Sequence, residues 1–322
     1  MFSLTTLHLR FVCQATTPLR LQADTFRAGS NLRGALGQVM LRSYCAGDAN
    51  DPQHAALCPV HWLLAAHEKP GEERRGYALV PPLANQHPEC LHPGDLFEFG
   101  LTLLGTAQTF LPYFILAVPE MGRLGVGPGR GKFDLKRVWA LNPLTGESEC
   151  LFGDAGNVVR TPTMVLDHAA VLQSASSLIA QRSAATHTVA VEFLTPMRLI
   201  DDAHTAKLPE FAPLFVRLLK RLDDLEEQFA TGTGRAGAEV CALHAAAARV
   251  QVGAVHTRWV EVFSGSSRRG IPSPLSGFVG RAVYAAPRPV WLDVLPWLVW
   301  GELVQVGKGT AKGNRVMQVV DV

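Results

Sequence analysis

The 322-residue sequence lacks several features that would place it at once in a functional class. Its six cysteines include no CxxC pair, which argues against a disulfide scaffold or a zinc ribbon and predicts a reducing, cytoplasmic location. Its net charge is only +2, so composition permits a nucleic-acid partner without requiring one. The most apolar late segment, residues 290–306, is shorter than a bilayer span and is broken by Asp293, Pro296 and Glu302. We therefore expect a globular protein with no membrane partner.

The most informative stretch that is present is a glycine-rich loop late in the chain. Gly307, Gly309 and Gly313 alternate with Lys308 and Lys312, and a strand-like run follows. Glycine lets backbone N–H groups come close to a phosphate because it carries no Cβ, and lysine supplies positive charge. Nucleotide-binding fingerprints need a helix after the glycines. The strand that follows this loop therefore argues against a mononucleotide or dinucleotide site.

A second copy of this loop lies earlier in the chain. The sequence VGPG at residues 126–129 aligns with VGKG at 306–309, which begins 180 residues later, and each copy leads into a strand-like run. Such a separation is too long for a solenoid repeat and suits two related domains in tandem. The simpler alternative is that both segments are surface hairpin turns.

Hydrophobic periodicity predicts the same sequence of elements in both halves. The order is strand, helix, two strands, helix, glycine loop and strand, which is close to the split βαβ pattern of ferredoxin-like domains. We therefore expect an α+β fold with domains at 1–185 and 186–322, each closed by a glycine-rich loop and a strand. Residues 45–75 are expected to be irregular.

Two predicted helices carry more specific expectations. The helix at residues 26–42 contains Gly34 and Gly37, which would weaken it unless protein backbone or RNA approaches closely there. The helix at 211–229 is strongly amphipathic, and Arg217, Lys220 and Arg221 are expected on its solvated face.

Several segments together resemble the CRISPR-associated precursor-RNA processing endoribonucleases of the RAMP superfamily. They are GSNLRGALG at residues 29–37, PP at 81–82, PGDLFEF at 93–99, LLGTA at 103–107, LPYF at 111–114, FLTPMRL at 193–199 and VGKGT at 306–310. The resemblance spans nearly the whole chain. It implies tandem ferredoxin-like, RRM-like domains that cleave CRISPR repeat RNA into guide RNAs. It also implies a metal-independent attack by the ribose 2′-hydroxyl, which leaves a 2′,3′-cyclic phosphate.

This chemistry needs a proton acceptor, a proton donor and cations around the phosphorane, and histidine titrates near neutral pH. In the family that this chain resembles, the histidine commonly follows the first helix of the first domain. We therefore predict His54, in a loop, as the first candidate catalytic residue and His61 as the second. A solvated or packed histidine is the alternative for each.

Glycines and cations of the loops, together with Arg33 on the first helix, are the candidate RNA-binding residues. They are Arg33, Arg268, Arg269, Gly307, Lys308, Gly309, Lys312, Gly313 and Arg315. Contacts from such residues to phosphate position an RNA, whereas hairpin shape and unpaired bases give specificity. The sequence departs from the family pattern after Gly313, where Asn314 and Arg315 stand in place of the usual glycine.

Other functions remain open at this point. A non-catalytic subunit that holds guide RNA within a CRISPR effector complex would use the same loops, and effector subunits are further candidate partners. A small-molecule enzyme with a phosphate-binding loop is disfavoured because no helix follows either loop. Cys45, His54, Cys58 and His61 could bind zinc, but their C-x8-H-x3-C-x2-H spacing matches no finger pattern. We therefore assign no metal site and no cofactor, and the sequence leaves the oligomeric state open.

Overall fold

The computed structural model describes most of the chain. The described residues are 2–45, 47, 51–64, 67–69, 72–83, 86–153, 159–180, 186–201, 204–264, 273–307 and 309–320. Three predicted RNA-binding residues, Arg268, Arg269 and Lys308, lie outside them.

Contacts divide the chain into two compact units. The first unit comprises Thr6–Val165 together with Ala311–Gly313. The second unit comprises Met1–Thr5, Leu166–Thr310 and Asn314–Val322. The second glycine loop therefore contributes residues to both units.

The first unit contains the elements of the first ferredoxin-like domain and several short additions. Its helices are α1 (Ala28–Ser43), α2 (Pro52–Leu57), α3 (Pro59–Leu64) and α4 (Leu111–Leu124). Its strands are β1 (Thr6–Ala15), β2 (His67–Lys69), β3 (Glu72–Arg74), β4 (Tyr77–Val80), β5 (Leu96–Leu104), β6 (Phe133–Leu141) and β7 (Ser148–Phe152), and β8 (Val165–Leu166) spans the boundary between the units.

The main sheet of this unit has the order β4-β5-β1-β6-β7. The pairs along it are antiparallel, and the first strand lies between the third and fourth strands of a βαββαβ unit. Helix α1 buries Leu32, Leu36, Val39 and Met40, which recur at helical spacing. These side chains belong to the core formed by the sheet with α1 and α4.

The second unit repeats this topology. Its helices are α5 (His168–Ala180), α6 (Phe211–Phe229), α7 (Gly237–Ala247) and α8 (Arg288–Val304). Its strands are β9 (Thr186–Met197), β10 (Leu199–Asp201), β11 (His204–Ala206), β12 (Gln251–Val260), β13 (Phe263–Ser264), β14 (Ser273–Pro274), β15 (Gly277–Pro287) and β16 (Met317–Val320). The main sheet has the order β12-β15-β9-β16, so the first strand again lies between the third and the fourth.

The structure confirms the predicted α+β class and the tandem ferredoxin-like fold. The amphipathic helix α6 begins and ends at the predicted residues, Phe211 and Phe229. The expectation of irregular structure after residue 45 is wrong, because α2 and α3 form there. Asp51 starts α2 by accepting a hydrogen bond from the Gln53 backbone N–H at 2.9 Å, and Pro52 occupies the first turn.

The two glycine loops occupy the same place in both units, between the second helix and the strand that closes the sheet. They connect α4 to β6 and α8 to β16. Within the first loop, Val126 and Gly131 form an antiparallel bridge that is closed by a tight turn, as the hairpin alternative expected. Backbone φ is positive at equivalent positions: 86° and 62° at Gly125 and Gln305, and 70° and 74° at Gly127 and Gly307. The recurrence of VGxG in the sequence therefore reflects a repeated backbone path.

A search of the described helices finds none that is both long and apolar enough to cross a bilayer.

Candidate functional site

The second glycine loop depends on several residues with left-handed backbone conformations. Gly307, Gly309 and Gly313 have φ of 74°, 86° and 72°, which glycine adopts without steric cost. Arg315 also has positive φ, at 69°. The position where the family pattern usually has glycine thus keeps the conformation that glycine favours, although arginine occupies it.

The Arg315 guanidinium lies against the loop backbone. A Cβ atom built on Gly307 would lie 2.5 Å from Arg315 Nη1, so Gly307 leaves the space that this side chain uses. The neighbouring Asn314 side chain is buried, and its Nδ2 atom has no hydrogen-bond partner among the described residues. Buried amides normally have partners, so this donor is an exception within the loop.

Arg221 of α6 holds the start of this loop. It is only 1% exposed, and its guanidinium donates to the backbone oxygens of Val304 at 3.0 Å and Gln305 at 3.1 Å. It also donates to Gly307 O at 3.4 Å and Thr310 Oγ1 at 3.1 Å. Carbonyls at the end of a helix have no partner within that helix, so Arg221 satisfies those at the end of α8.

The prediction that Arg221 lies on a solvated face is wrong. Arg221 follows Leu218 by three residues and precedes Leu225 by four, so helical spacing places it within the apolar stripe of α6. A cation at such a position needs buried acceptors, and the end of α8 supplies them. This spacing was the signal by which sequence reasoning could have identified a loop-positioning residue.

The beginning of α1 packs against the last part of the same loop. A Cβ atom on Gly29 would collide with the carbonyl group of Lys312, and one on Gly313 would lie 2.8 Å from Pro81 Cδ. Glycine is therefore required sterically at both positions. Lys312 and Gly313, both predicted to bind RNA, are brought close to the first turn of α1.

Arg33 lies one turn further along α1, beside Gly34. No atom of the described residues comes within 4 Å of a Cβ built on Gly34 or Gly37. Of the two explanations expected for these glycines, close approach of protein backbone is therefore not observed. The helix leaves a smooth surface beside Arg33.

The candidate catalytic histidines lie together in the first unit. His54 is on α2 and His61 on α3, so the expectation that His54 lies in a loop is wrong. Their ring centroids are 5.2 Å apart with planes at 87°. Both histidines are half-buried.

Two cysteines share this site with the histidines. Cys45 Sγ lies 3.2 Å from His54 Nε2 and 3.9 Å from His61 Nδ1. Cys58 is buried at the junction of α2 and α3, where its backbone N–H donates to the His54 carbonyl at 2.9 Å. One potential ligand atom from each of the four residues lies within 4.8 Å of the other three.

Comparison with solved structures identifies the same two-unit architecture in Cas6 proteins. A Cas6 (TTHB231) product complex matches with a TM-score of 0.60 and 15% identity, covering 98% of this chain and all of that one. A structure of Thermus thermophilus Cas6 (TTHB231) matches with a TM-score of 0.57 and 15% identity over 99% of both chains. A partial Cas6-RT-Cas1–Cas2 complex matches with a TM-score of 0.60 and 11% identity, covering 99% of this chain but 46% of that one. No curated protein matches by sequence.

Family models match both halves of the sequence. The model of the AF_1859 N-terminal domain matches residues 4–164, and the model of CRISPR-associated endoribonuclease Cas6 matches residues 191–314. Residues 191–314 thus match the Cas6 endoribonuclease family, and the solved Cas6 structures share the fold of the whole chain. Both findings agree with the resemblance seen in the sequence.

The matched ranges divide the candidate residues into two groups. The Cas6 model includes the second glycine loop as far as Asn314, whereas Arg315 follows it by one residue. Arg33, His54 and His61 fall within the N-terminal domain model. The residue assignments themselves are not decided by these matches.

Proposed function

We propose that this protein is a Cas6 endoribonuclease, which binds CRISPR repeat RNA and cleaves the precursor transcript into guide RNAs without a metal ion in the reaction. The observation that carries the proposal is the Cas6 family match on a tandem ferredoxin-like fold whose two glycine loops are equivalent. The ribose 2′-oxygen attacks the adjacent phosphorus while the bond from phosphorus to the 5′-oxygen breaks. A base removes the 2′-hydroxyl proton and an acid protonates the leaving 5′-oxygen, which leaves a 2′,3′-cyclic phosphate and a 5′-hydroxyl.

The second glycine loop and the adjacent face of α1 are the proposed RNA-binding surface of this reaction. Lys312 and Arg315 supply charge to phosphates, as do Lys308, Arg268 and Arg269, which lie outside the described residues. Gly307, Gly309 and Gly313 let backbone N–H groups approach a phosphate. The open space over Gly34 and Gly37 supports close approach of an RNA backbone beside Arg33.

His54 and His61 remain the predicted proton-transfer residues. Their proximity to each other and their partial exposure support this role. The His54 ring also contacts Cys45 Sγ. A cleavage assay that includes variants of both histidines decides whether either one takes part in the chemistry.

The test is cleavage of repeat RNA from the same genome in the presence of EDTA, with a second substrate that carries a 2′-deoxy sugar immediately upstream of the cut. We expect wild type to cut the first substrate to a cyclic-phosphate product and to leave the second intact. A histidine that transfers a proton should lose at least about 10²-fold in single-turnover rate when replaced by alanine. His92→Ala, in an exposed turn, is the matched control.

Other outcomes would contradict parts of this proposal. Tight binding of repeat RNA with no cutting would make the chain a guide-RNA-holding subunit. Cutting of the 2′-deoxy substrate would exclude attack by the 2′-hydroxyl. Association with other CRISPR subunits is a further proposal, supported by the similar fold within the Cas6-RT-Cas1–Cas2 complex, and co-purification tests it.

A further inference from the structure

We propose that Cys45, His54, Cys58 and His61 bind one Zn²⁺ ion that stabilises the first unit. The geometry carries the inference. Cys45 follows α1, His54 lies on α2, Cys58 lies between α2 and α3, and His61 lies on α3, yet their ligand atoms lie within 4.8 Å of one another. The site includes both histidines that are proposed above for proton transfer.

The spacing of the ligand atoms fits a tetrahedral ion. Zinc binds cysteine sulfur at about 2.3 Å and histidine nitrogen at about 2.0–2.1 Å, so the ligand atoms of a tetrahedral site lie about 3.3–3.8 Å apart. Cys45 Sγ is 3.2 Å from His54 Nε2 and 3.9 Å from His61 Nδ1. These two distances lie close to the lower and upper ends of the tetrahedral range. The remaining ligand atoms lie within 4.8 Å of one another, so binding of an ion would draw some of them together by up to about 1 Å.

The ligand chemistry selects the metal. Two thiolates and two imidazoles form a donor set typical of structural zinc, whereas Mg²⁺ and Ca²⁺ prefer oxygen ligands. Four protein ligands also leave no open coordination position, in contrast with catalytic zinc. The ion consequently has a structural role and does not activate water.

The local fold explains what such an ion would stabilise. Helices α2 and α3 have six residues each, which is too short for stability without tertiary contacts. Val60 and Leu63 of α3 are buried in the first core, and Cys45 lies two residues after α1 ends at Ser43. An ion shared by Cys45, Cys58 and the two histidines would fix both short helices to the end of α1.

Zinc binding and proton transfer by these histidines are mutually exclusive. A histidine that donates its lone pair to zinc cannot act as a general base, and all four residues are needed to complete the tetrahedron. The convergence of two cysteines on the histidines favours zinc, because proton transfer requires neither thiol.

The first experiment uses the wild-type protein, purified under reducing conditions and dialysed without chelator. We expect one zinc ion per chain by plasma mass spectrometry, and X-ray absorption that fits two sulfur and two nitrogen ligands. Replacement by Co²⁺ should give the visible absorption of a tetrahedral ion with thiolate ligands. The proposal would be overturned by protein that is metal-free and takes up no stoichiometric Co²⁺ after reduction. It would also be overturned if Cys45 and Cys58 formed a disulfide in protein purified with reductant.

The second experiment uses single variants and measures zinc content, thermal unfolding and RNA cleavage together. Cys45→Ser, Cys58→Ser, His54→Ala and His61→Ala should each lose most of the zinc and unfold at lower temperature, whereas exposed Cys241→Ser should retain both properties. Retention of stoichiometric zinc by all four variants contradicts the proposal. Loss of cleavage in His54→Ala or His61→Ala alone, with both cysteine variants fully active, would instead establish proton transfer.

Failure of this proposal is distinguishable from failure of the cleavage proposal. Zinc stoichiometry is measured without RNA, and repeat-RNA cleavage by zinc-loaded protein is measured separately. EDTA should leave the initial cleavage rate of a folded sample unchanged while lowering its unfolding temperature after prolonged incubation.

Discussion

Arg221 is a buried cation, and the acceptors of its described hydrogen bonds are uncharged oxygen atoms. Its bonds to Val304, Gln305, Gly307 and Thr310 join α6 to the end of α8 and to the second glycine loop. The loop conformation that supports RNA binding in our proposal therefore depends on a residue that is itself inaccessible to RNA.

Replacing Arg221 with Met should destabilise the protein by about 2–4 kcal/mol, because several buried carbonyl groups lose their donor. RNA affinity should also fall, since the loop loses its anchor at Gly307. Urea denaturation and RNA binding by filter assay measure the two effects. Lys220→Ala is the control, because Lys220 is 51% exposed and its 3.7 Å ion pair with the buried Asp224 should contribute only about 1 kcal/mol. An equal effect of the two substitutions would contradict this role of Arg221.

At the scale of elements, α1 combines a tightly packed first turn with an open surface further along. Gly29 lies directly against Lys312, whereas Gly34 and Gly37 face open space. Glycines of the same helix therefore serve different purposes, and alanine substitution distinguishes them.

We expect Gly29→Ala to destabilise the protein by about 1–3 kcal/mol, because its Cβ has no room beside the Lys312 carbonyl. Gly34→Ala should instead stabilise α1 by about 0.5–1 kcal/mol through helix propensity. If RNA packs on this surface, Gly34→Ala should nevertheless weaken RNA binding. Urea denaturation and binding measurements on both variants test the contrast, and unchanged RNA affinity in Gly34→Ala would remove α1 from the proposed interface.

The sequence predicts some elements of this fold much better than others. Helix α6 is predicted residue by residue because its apolar side chains recur on one face between clear boundaries. Helix α7 is missed because its alanine-rich sequence has apolar residues all around the helix. Helices α2 and α3 are missed because six residues hold too little periodicity to be recognised.

The candidate sites also differ in how well the sequence predicts them. The glycine loop is recognisable because glycine and lysine spacing is local, and its duplication identifies the tandem fold. The convergence of Cys45 with His54, Cys58 and His61 depends on how α2 and α3 fold back toward the end of α1. Arg221 meets its acceptors more than 80 residues away in sequence, so periodicity indicates its burial but not its partners.

At the scale of the whole molecule, Glu302 makes stability depend on pH. This carboxyl group of α8 accepts a hydrogen bond from Val319 N–H of β16 at 3.3 Å. Burial raises the pKa of Glu302 from 4.5 to about 7, although the hydrogen bond from Val319 acts in the opposite direction. Between pH 4.5 and about pH 7, the Glu302 carboxyl is ionised in the unfolded chain and protonated in the folded chain. Stability is consequently highest at low pH, as far as this group is concerned, and falls as pH rises from 4.5 to 7.

Replacing Glu302 with Gln should stabilise the protein by as much as about 3 kcal/mol above pH 7, because the amide keeps an acceptor without a buried charge. The gain should shrink toward zero near pH 4.5, where the carboxyl is protonated in both states. Urea denaturation across this range measures the difference between variant and wild type. Exposed Glu147→Gln is the control, and a gain in stability that does not vary with pH would contradict the prediction.

The assignment of Ala311–Gly313 to the first unit has a consequence for synthesis on the ribosome. Translation delivers Thr6–Val165 first, whereas the short segment that packs on Gly29 and Pro81 emerges only after nearly all of the second unit. During this interval the nascent first unit carries an uncovered surface, which a chaperone could shield. The first unit therefore completes its packing only after nearly all of the second unit has been synthesised.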